Sequence, residues 1–182
     1  MFNFNLIIYL ILTSSARLSL SQMVCFTAKE LQSTLLVSFF ADYTQRVLVE
    51  SYPLEETLHT ILSATAHTTI GRHTSIIYLR PKNVKIPLPV GAPVVEHKGL
   101  QATEYFFAHE KLHPWGVALP IACSKCFCPR PWSKPVKEKS NIIFFCRYKS
   151  CRNKIRFPAR QGAQVYGGSL GSGKWMLVKR NI

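Results

Sequence analysis

The stretch CSKCFCPRPWSKPVKEKSNIIFFCRYKSC, residues 123–151, decides the fold of the second half of the chain. It begins with the pair Cys123 and Cys126 and ends with the pair Cys146 and Cys151, with nineteen residues between the two pairs. Two close cysteine pairs about 15–20 residues apart are typical of a tetrahedral zinc site, because each pair forms a hairpin corner that directs two thiolates inward. The spacing predicts a structural Zn²⁺ bound by these four residues.

Cys128 is a fifth cysteine in the same stretch, either free or an alternate ligand in place of Cys126. Disulfides are the alternative to a metal, and they would leave one of the five clustered cysteines unpaired or paired with Cys25. A unit of about 70 residues rarely stabilises itself by core burial alone. A structural zinc contributes on the order of 10 kcal/mol of folding free energy, and the cysteine spacing favours zinc.

Apolar runs beside the cysteines predict strands that lead into and out of the two corners. Residues 142–145 run into the second corner, residues 154–157 leave it, and residues 117–122 lead into the first. Over about residues 113–160 the sequence resembles the zinc-ribbon family. The resemblance implies a small β-rich module, although four residues separate Cys146 from Cys151 where ribbons usually have two.

A turn with the sequence His113-Pro114-Trp115-Gly116 precedes the cysteines. It resembles the turn at the same place in the C-terminal part of uncharacterised basidiomycete fungal proteins. This resemblance implies no activity.

The excess positive charge of the chain lies entirely in its second half. The 182 residues include 23 Lys+Arg and 9 Asp+Glu, a formal net charge of +14. Residues 1–110 contain eight basic and eight acidic residues, whereas residues 111–182 contain fifteen basic residues and one acid, Glu138. Hydrophobic residues make up 47% of the chain, which is enough for a core and excludes wholesale disorder.

The basic residues around the cysteines predict affinity for polyanions, because a dense positive surface releases the counterions of nucleic acid. The predicted nucleic-acid contacts are Lys134, Lys137, Lys139, Arg147, Lys149, Arg152, Lys154 and Arg156. Aromatic residues interleave with them, and exposed ones would stack on unpaired bases. These aromatic residues are Trp132, Phe144, Phe145, Tyr148 and Phe157.

The predicted function is therefore a non-enzymatic zinc module that binds nucleic acid through a basic face. The alternative is a structural or protein-interaction zinc module without nucleic-acid binding, and a metallopeptidase of the H-E-x-x-H type is a less favoured one. No small-molecule substrate and no membrane span are expected. The cysteine spacing favours an intracellular, nuclear location, whereas a working signal sequence at the N-terminus would make the protein secreted.

Residues 23–80 have the pattern of a fragment of an α/β domain, so the predicted class of the whole chain is α+β. A short strand at 24–26 precedes a capping box at Thr27–Glu30, which predicts a helix up to about residue 52. Pro53 begins a second helix, and residues 75–79 form a second strand. Strand, helix, helix, strand is the order of a right-handed crossover, which predicts parallel strands.

Four prolines within residues 81–93 predict a linker over residues 81–99, which separates the α/β fragment from a basic zinc-ribbon-like domain at residues 100–182. That domain begins with a predicted strand at residues 100–108. Residues 1–22 are signal-like, but the apolar run at residues 6–12 is shorter than the roughly 20 residues of a membrane span. A buried strand and a true start at Met23 are the alternatives.

Two short motifs match enzyme templates without the context those templates require. Residues 109–113 match the metallopeptidase pattern H-E-x-x-H, but Pro114 disfavours the helix that would place both histidines on one face. Residues 168–174 match the phosphate-binding pattern G-x-x-x-x-G-K, but Trp175 stands where Ser or Thr is needed. The first motif is predicted to be a turn and the second a glycine turn before a last strand at 175–178. No catalytic residue is predicted.

Overall fold

Five antiparallel strands form the larger of two sheets in the computed structural model, which describes residues 22–28, 33–65, 70–86, 95–169 and 173–181. The strands are β1 Met23–Phe26, β2 Ile76–Ile86, β3 Val95–Ala108, β7 Gln164–Ser169 and β8 Gly173–Asn181. Their spatial order is β1-β2-β3-β8-β7. Strands from both halves of the chain therefore share one sheet.

Helices cover one face of this five-stranded sheet. After a 3₁₀ turn at Ser33–Leu36, helix α1 spans Val37–Tyr43 and continues as a π-helical stretch at Thr44–Val49. Helix α2 spans Leu54–Thr65, and the single-turn helix α3 spans Ile70–His73. Alternate strand residues face these helices, because successive side chains of a strand point to opposite faces. The most deeply buried residues of this core are Phe39, Leu58, Ile61, Leu62, Ile70, Ile76 and Trp175.

The smaller sheet has three antiparallel strands, β4 Val136–Glu138, β5 Asn141–Phe145 and β6 Lys154–Pro158, in that spatial order. Together with the five cysteines it forms a unit that we call the cysteine module, residues 117–158. The core of this module consists of Cys123, Trp132, Ile142, Phe144, Cys146, Cys151 and Phe157. Helices and two antiparallel sheets together confirm the predicted α+β class.

Trp115 connects the cysteine module to the larger sheet. Its ring contacts the core of the module and also the apolar cluster on the sheet face opposite the helices. Trp115 lies in the 3₁₀ turn Pro114–Gly116 with a φ of 51°. The next residue, Gly116, has a φ of 79°, and a Cβ there would lie 2.5 Å from Cδ2 of Phe106. Only glycine fits that position without moving a buried ring.

The predicted parallel crossover is wrong, because β1 and β2 are antiparallel. Phe26 at the end of β1 pairs with Ile76 at the start of β2, so the helices between them leave and return at the same end of the sheet. Of the predicted capping box, Thr27 lies within the described residues and Glu30 does not. The Thr27 hydroxyl accepts a hydrogen bond from the Ser75 amide at 2.9 Å, which extends the contact between the two strands.

The described parts of the predicted linker are strands. β2 and β3 form a long hairpin whose register runs from Ile76↔Tyr105 to Ile86↔Val95. The pairing of β1 with β2 extends only to Met23↔Leu79, so Pro81 lies on an edge of the described sheet. Proline is tolerated there because no neighbouring strand needs its missing N–H. The larger sheet is therefore built across the predicted boundary at residues 81–99.

Several predicted elements are confirmed. A helix follows Pro53, and strands occupy residues 76–79, 100–108, 142–145, 154–157 and 175–178. Residues 117–122 form an irregular segment with a single bridge, Ala122↔Pro129, and no strand. The predictions for residues 1–21, including the signal-like run, lie outside the described residues, as does Glu30 of the capping box.

Gly71 in α3 packs directly against β3, and we predict that Gly71→Ala destabilises the protein. An added Cβ would lie 2.5 Å from Cβ and 2.9 Å from Cγ of Phe107, atoms that cannot move without shifting the strand. Overpacking of this kind costs about 1–3 kcal/mol. Urea denaturation followed by circular dichroism measures the loss. An unchanged or increased free energy of unfolding, the usual result of Gly→Ala within a helix, would contradict the packing.

Candidate metal centre

The first corner of the cysteine module is a tight turn that places the Cys123 sulfur at its inner side. The Cys123 amide donates to the carbonyl of Cys128 at 3.1 Å, and the Phe127 amide donates to the carbonyl of Cys123 at 2.9 Å. The backbone N–H of Lys125 also points at the Cys123 sulfur, at 3.4 Å. Phe127 has a φ of 58°, the left-handed conformation that reverses the chain. The turn therefore directs Cys123 and Cys126 to one side.

The second corner joins β5 to β6 and carries the other cysteine pair. The Cys146 amide donates to the carbonyl of Asn153 at 2.8 Å, and the Cys151 amide donates to the carbonyl of Tyr148 at 2.9 Å. These bonds close the loop at its base and at its tip. The corner therefore holds the four residues between Cys146 and Cys151, where zinc ribbons usually have two. Arg152 completes the reversal with a φ of 49°.

The two corners bring together the four cysteines predicted from the sequence. The sulfur atoms of Cys123, Cys126, Cys146 and Cys151 all lie within 4.8 Å of one another, and three of the four residues are buried. The Cys123 and Cys151 sulfurs are 3.7 Å apart, and the Cys126 and Cys146 sulfurs are 3.6 Å apart. Ligands of a regular tetrahedral zinc site with Zn–S bonds of about 2.3 Å lie about 3.8 Å apart. The cluster therefore fits a four-coordinate metal ion.

Cys128 lies close enough to take the place of Cys126. Its sulfur is 3.6 Å from that of Cys146, the same separation as for Cys126, but only 3.0 Å from the Cys126 sulfur. A separation of 3.0 Å is too short for two ligands of one tetrahedral ion, because those sulfurs are about 3.8 Å apart. One of these two cysteines can bind the metal at a time.

We therefore predict unequal effects of Cys126→Ser and Cys128→Ser on metal binding. Cys126→Ser should keep a metal site, because Cys128 moves into the fourth position, with affinity lowered about 10- to 100-fold. Cys128→Ser should change the affinity by less than about threefold, and the double variant should lose four-sulfur coordination. Titration with Co²⁺, followed by the thiolate-to-cobalt absorption bands, measures both affinity and sulfur number. A larger loss for Cys128→Ser would assign the fourth position to Cys128.

Hydrogen bonds and burial act in opposite directions on the thiols. Burial raises the pKa of Cys123, but hydrogen bonds from the Asn153 side chain and from two backbone amides outweigh it and lower the pKa to about 6. Burial raises the pKa of Cys146 to about 11 and that of Cys151 to about 12. A hydrogen bond with the Cys128 side chain also lowers the pKa of Cys126. Cys123 and Cys126 therefore ionise more readily than Cys146 and Cys151, whose protons a bound cation would displace.

Asn153 is a site residue that sequence reasoning missed. Its side-chain amide donates to the Cys123 sulfur at 3.2 Å, which orients and stabilises a thiolate. The only signal in the sequence is a polar amide two residues after the last cysteine. That signal is too weak to be distinguished from a solvent-exposed turn residue.

The histidines of the H-E-x-x-H match lie on either side of a turn, as predicted. The backbones of His109 and His113 exchange two hydrogen bonds, of 3.0 and 2.8 Å, in an antiparallel bridge. The Nδ1 atom of His109 accepts the amides of Lys111 and Leu112, both at 3.2 Å. In the described ranges, the four cysteines form the one group of three or more side chains placed to hold a metal.

The glycine-rich match at residues 168–174 joins two paired strands. Gly168 pairs with Lys174 and Ser169 pairs with Gly173, and β8 continues from there to Asn181. Lys174 is therefore followed by a strand, where a phosphate-binding loop of this kind requires a helix.

All eight predicted nucleic-acid residues are exposed, but they lie on two sides of the cysteine module. Arg147, Lys149 and Arg152 lie in the second corner. Lys154 pairs with Phe145, and Arg156 pairs with Ile143, so their side chains share the outer face of the smaller sheet. Lys134 precedes β4. Lys137 and Lys139 line a cleft between the two sheets.

Two of these basic residues have acidic partners. Lys137 lies 3.3 Å from Glu110, and Arg156 lies 3.3 Å from Glu138. Exposed ion pairs of this kind contribute little to stability. Of the interleaved aromatic residues, Phe145 and Tyr148 are 42% and 58% exposed, whereas Trp132, Phe144 and Phe157 are buried in the module core.

No helix in the described part of the chain is long and apolar enough to cross a membrane. No protein-family model, no curated protein and no solved structure matches the chain.

Proposed function

We propose that this chain is a non-enzymatic zinc-binding module that binds nucleic acid through a basic surface beside its metal centre. Cys123, Cys126, Cys146 and Cys151 hold one structural Zn²⁺ in a zinc-ribbon arrangement. The sulfur separations of 3.6 and 3.7 Å carry the zinc assignment, because they match those of a tetrahedral four-thiolate site. Four thiolate ligands leave no coordination position for water or substrate, so the metal has a structural role.

The second corner and the adjoining strand ends supply the nucleic-acid surface, which we call the corner surface. It consists of Phe145, Arg147, Tyr148, Lys149, Arg152 and Lys154. Four of these residues are positively charged, and Glu138 is the single acid in residues 111–182. Such a concentration of positive charge favours contacts with phosphates.

Two exposed aromatic side chains lie among these charges. Tyr148 is flanked in the sequence by Arg147 and Lys149, and Phe145 is paired with Lys154 across the sheet. Aromatic rings between basic residues suit single-stranded nucleic acid, because bases stack on the rings while the phosphates contact the cations. This mode of binding gives affinity with little base specificity.

Zinc is expected to be necessary for the corner surface. Arg147, Tyr148, Lys149 and Arg152 lie between or beside Cys146 and Cys151, in a loop whose shape is set by those two residues. Loss of the metal would release both ends of the loop from the first corner. Nucleic-acid binding should therefore require zinc.

Fluorescence anisotropy with labelled single-stranded RNA, single-stranded DNA and duplex DNA tests the proposal on the zinc-loaded chain. About four phosphate contacts give a slope near −3 in a plot of log affinity against log salt for single strands. The single strands should bind more tightly than the duplex, because stacking requires unpaired bases. No binding at about 25 mM salt, or an affinity independent of salt, would contradict the proposal.

A protein-interaction module is the second candidate, and the first corner favours it. Ile121 and Phe127 are 79% and 78% exposed, beside a metal centre that would hold them rigidly. Exposed apolar side chains on a rigid turn are typical anchors for a protein partner. A chain that holds zinc but does not bind nucleic acid at low salt would support this candidate.

A further inference from the structure

We propose that the cleft between the two sheets is a binding site for an organic phosphate of about nucleotide size. The cleft uses different residues from the corner surface, and two of its lysines, Lys137 and Lys139, belong to the nucleic-acid contacts predicted from the sequence. It therefore goes beyond the function proposed above.

The size and walls of the cleft suit a small molecule. Its volume is about 540 Å³, within the range of roughly 300–1,000 Å³ that is usual for ligand pockets. The turn after β3, the turn between β4 and β5, and the start of β8 line it. Trp115, Ile142 and Ala159 supply apolar wall surface against which a base or another flat group can pack.

Four lysines line this cleft, and they come from three separate parts of the chain. They are Lys111, Lys137, Lys139 and Lys174. Glu110 is the one acid among the described lining residues, and it lies 3.3 Å from Lys137. Three ammonium groups remain without an acidic partner in the described structure, which matches the charge of a diphosphate group.

Trp115 provides a reporter for the occupied cleft. Its ring lines the cleft, and its indole N–H is buried without a hydrogen-bond partner among the described residues. The indole N–H of Trp132, in contrast, donates to the carbonyl of Pro120 at 2.7 Å inside the cysteine module. A ligand in the cleft should shift the indole signal of Trp115 and leave that of Trp132 in place.

Titration of the zinc-loaded full chain with ADP, followed by calorimetry and by NMR of the indole N–H groups, tests the proposal. ADP should bind in a one-to-one complex and shift the Trp115 signal selectively. Lys111→Gln combined with Lys174→Gln should raise the Kd for ADP at least tenfold. A shift at Trp132 without one at Trp115 would overturn the proposal. Absence of ADP binding would also overturn it, unless a 5′-phosphorylated oligonucleotide binds in the cleft.

A matched double variant controls for the loss of two positive charges. Lys82 and Lys179 are exposed lysines that do not line the cleft. Lys82→Gln combined with Lys179→Gln should change the Kd for ADP by less than twofold. Equal weakening by both double variants would show attraction to the overall charge of the protein, and the site would be rejected.

The phosphate could belong to a free nucleotide or to the end of a nucleic-acid strand. A 5′-phosphorylated oligonucleotide and its 5′-hydroxyl counterpart distinguish these sources. Preference for the phosphorylated strand that depends on Lys111 and Lys174 would assign the site to a strand end, and binding of ADP alone would assign it to a free nucleotide. If neither ADP nor the phosphorylated end binds, the proposed site is rejected. The corner surface is tested separately, by the salt-dependent binding of the 5′-hydroxyl strand.

Discussion

Replacing Cys151 with serine should unfold the cysteine module while the five-stranded sheet stays folded. Cys151 is buried, and its sulfur lies 3.7 Å from that of Cys123 across the candidate metal site. A structural zinc supplies on the order of 10 kcal/mol of folding free energy, which exceeds what a three-stranded sheet gains from its own small core. The larger sheet has a separate core beneath its helices, so its fold should not depend on a metal.

Hydrogen exchange measured by NMR separates these two parts of the chain. In Cys151→Ser, the amides of Asn141–Phe145 in β5 should lose their protection, and the amides of Tyr105–Phe107 in β3 should keep theirs. Cys25→Ser is the matched control, because Cys25 is half-buried in β1 and lies outside the cysteine cluster. Full protection of β5 and a full equivalent of zinc in Cys151→Ser would contradict the assigned ligand.

Neutralising the corner surface should weaken single-stranded nucleic-acid binding about a hundredfold at low salt. The variant combines Lys149→Gln, Arg152→Gln and Lys154→Gln, three exposed cations without an acidic partner in the described structure. Losing three phosphate contacts should also reduce the slope of log affinity against log salt by about 2. Anisotropy titrations at several salt concentrations give both quantities.

A second triple variant tests whether the position of these charges matters. Arg46→Gln, Lys82→Gln and Lys179→Gln remove the same total charge from the α1 region and the larger sheet. This control should weaken binding by less than about fivefold, because screening limits the effect of distant charges. Equal losses in the two variants would mean that the net charge of the chain attracts nucleic acid without a defined surface.

Features fixed by local spacing could be predicted from the sequence. The four clustered cysteines follow from two short pairs whose corners turn the chain within a few residues. The strands at 100–108 and 175–178 follow from segments rich in aromatic and other apolar residues, and Pro53 marks the start of α2. In each case the residues that determine the element lie inside it or next to it.

Features fixed by tertiary pairing could not be predicted in this way. The direction of β1 relative to β2 depends on where the helices return the chain, and the order of elements does not contain that information. Pro81 would break β2 only if a strand were paired with it on both sides. It is accepted because β1 begins at Met23, opposite Leu79, which leaves Pro81 without a β1 partner. The lysine-lined cleft lies between two sheets that are both in contact with Trp115. Its four lysines are far apart in the sequence, so only the packing of the sheets brings them to one cleft.

Metal analysis of the full chain, purified under reducing conditions without added metal, tests the central claim most directly. The four-cysteine cluster predicts one equivalent of zinc per chain that remains through dialysis and is released when the thiols are modified. Less than about half an equivalent of zinc per chain would contradict the assignment of these cysteines to a structural zinc site.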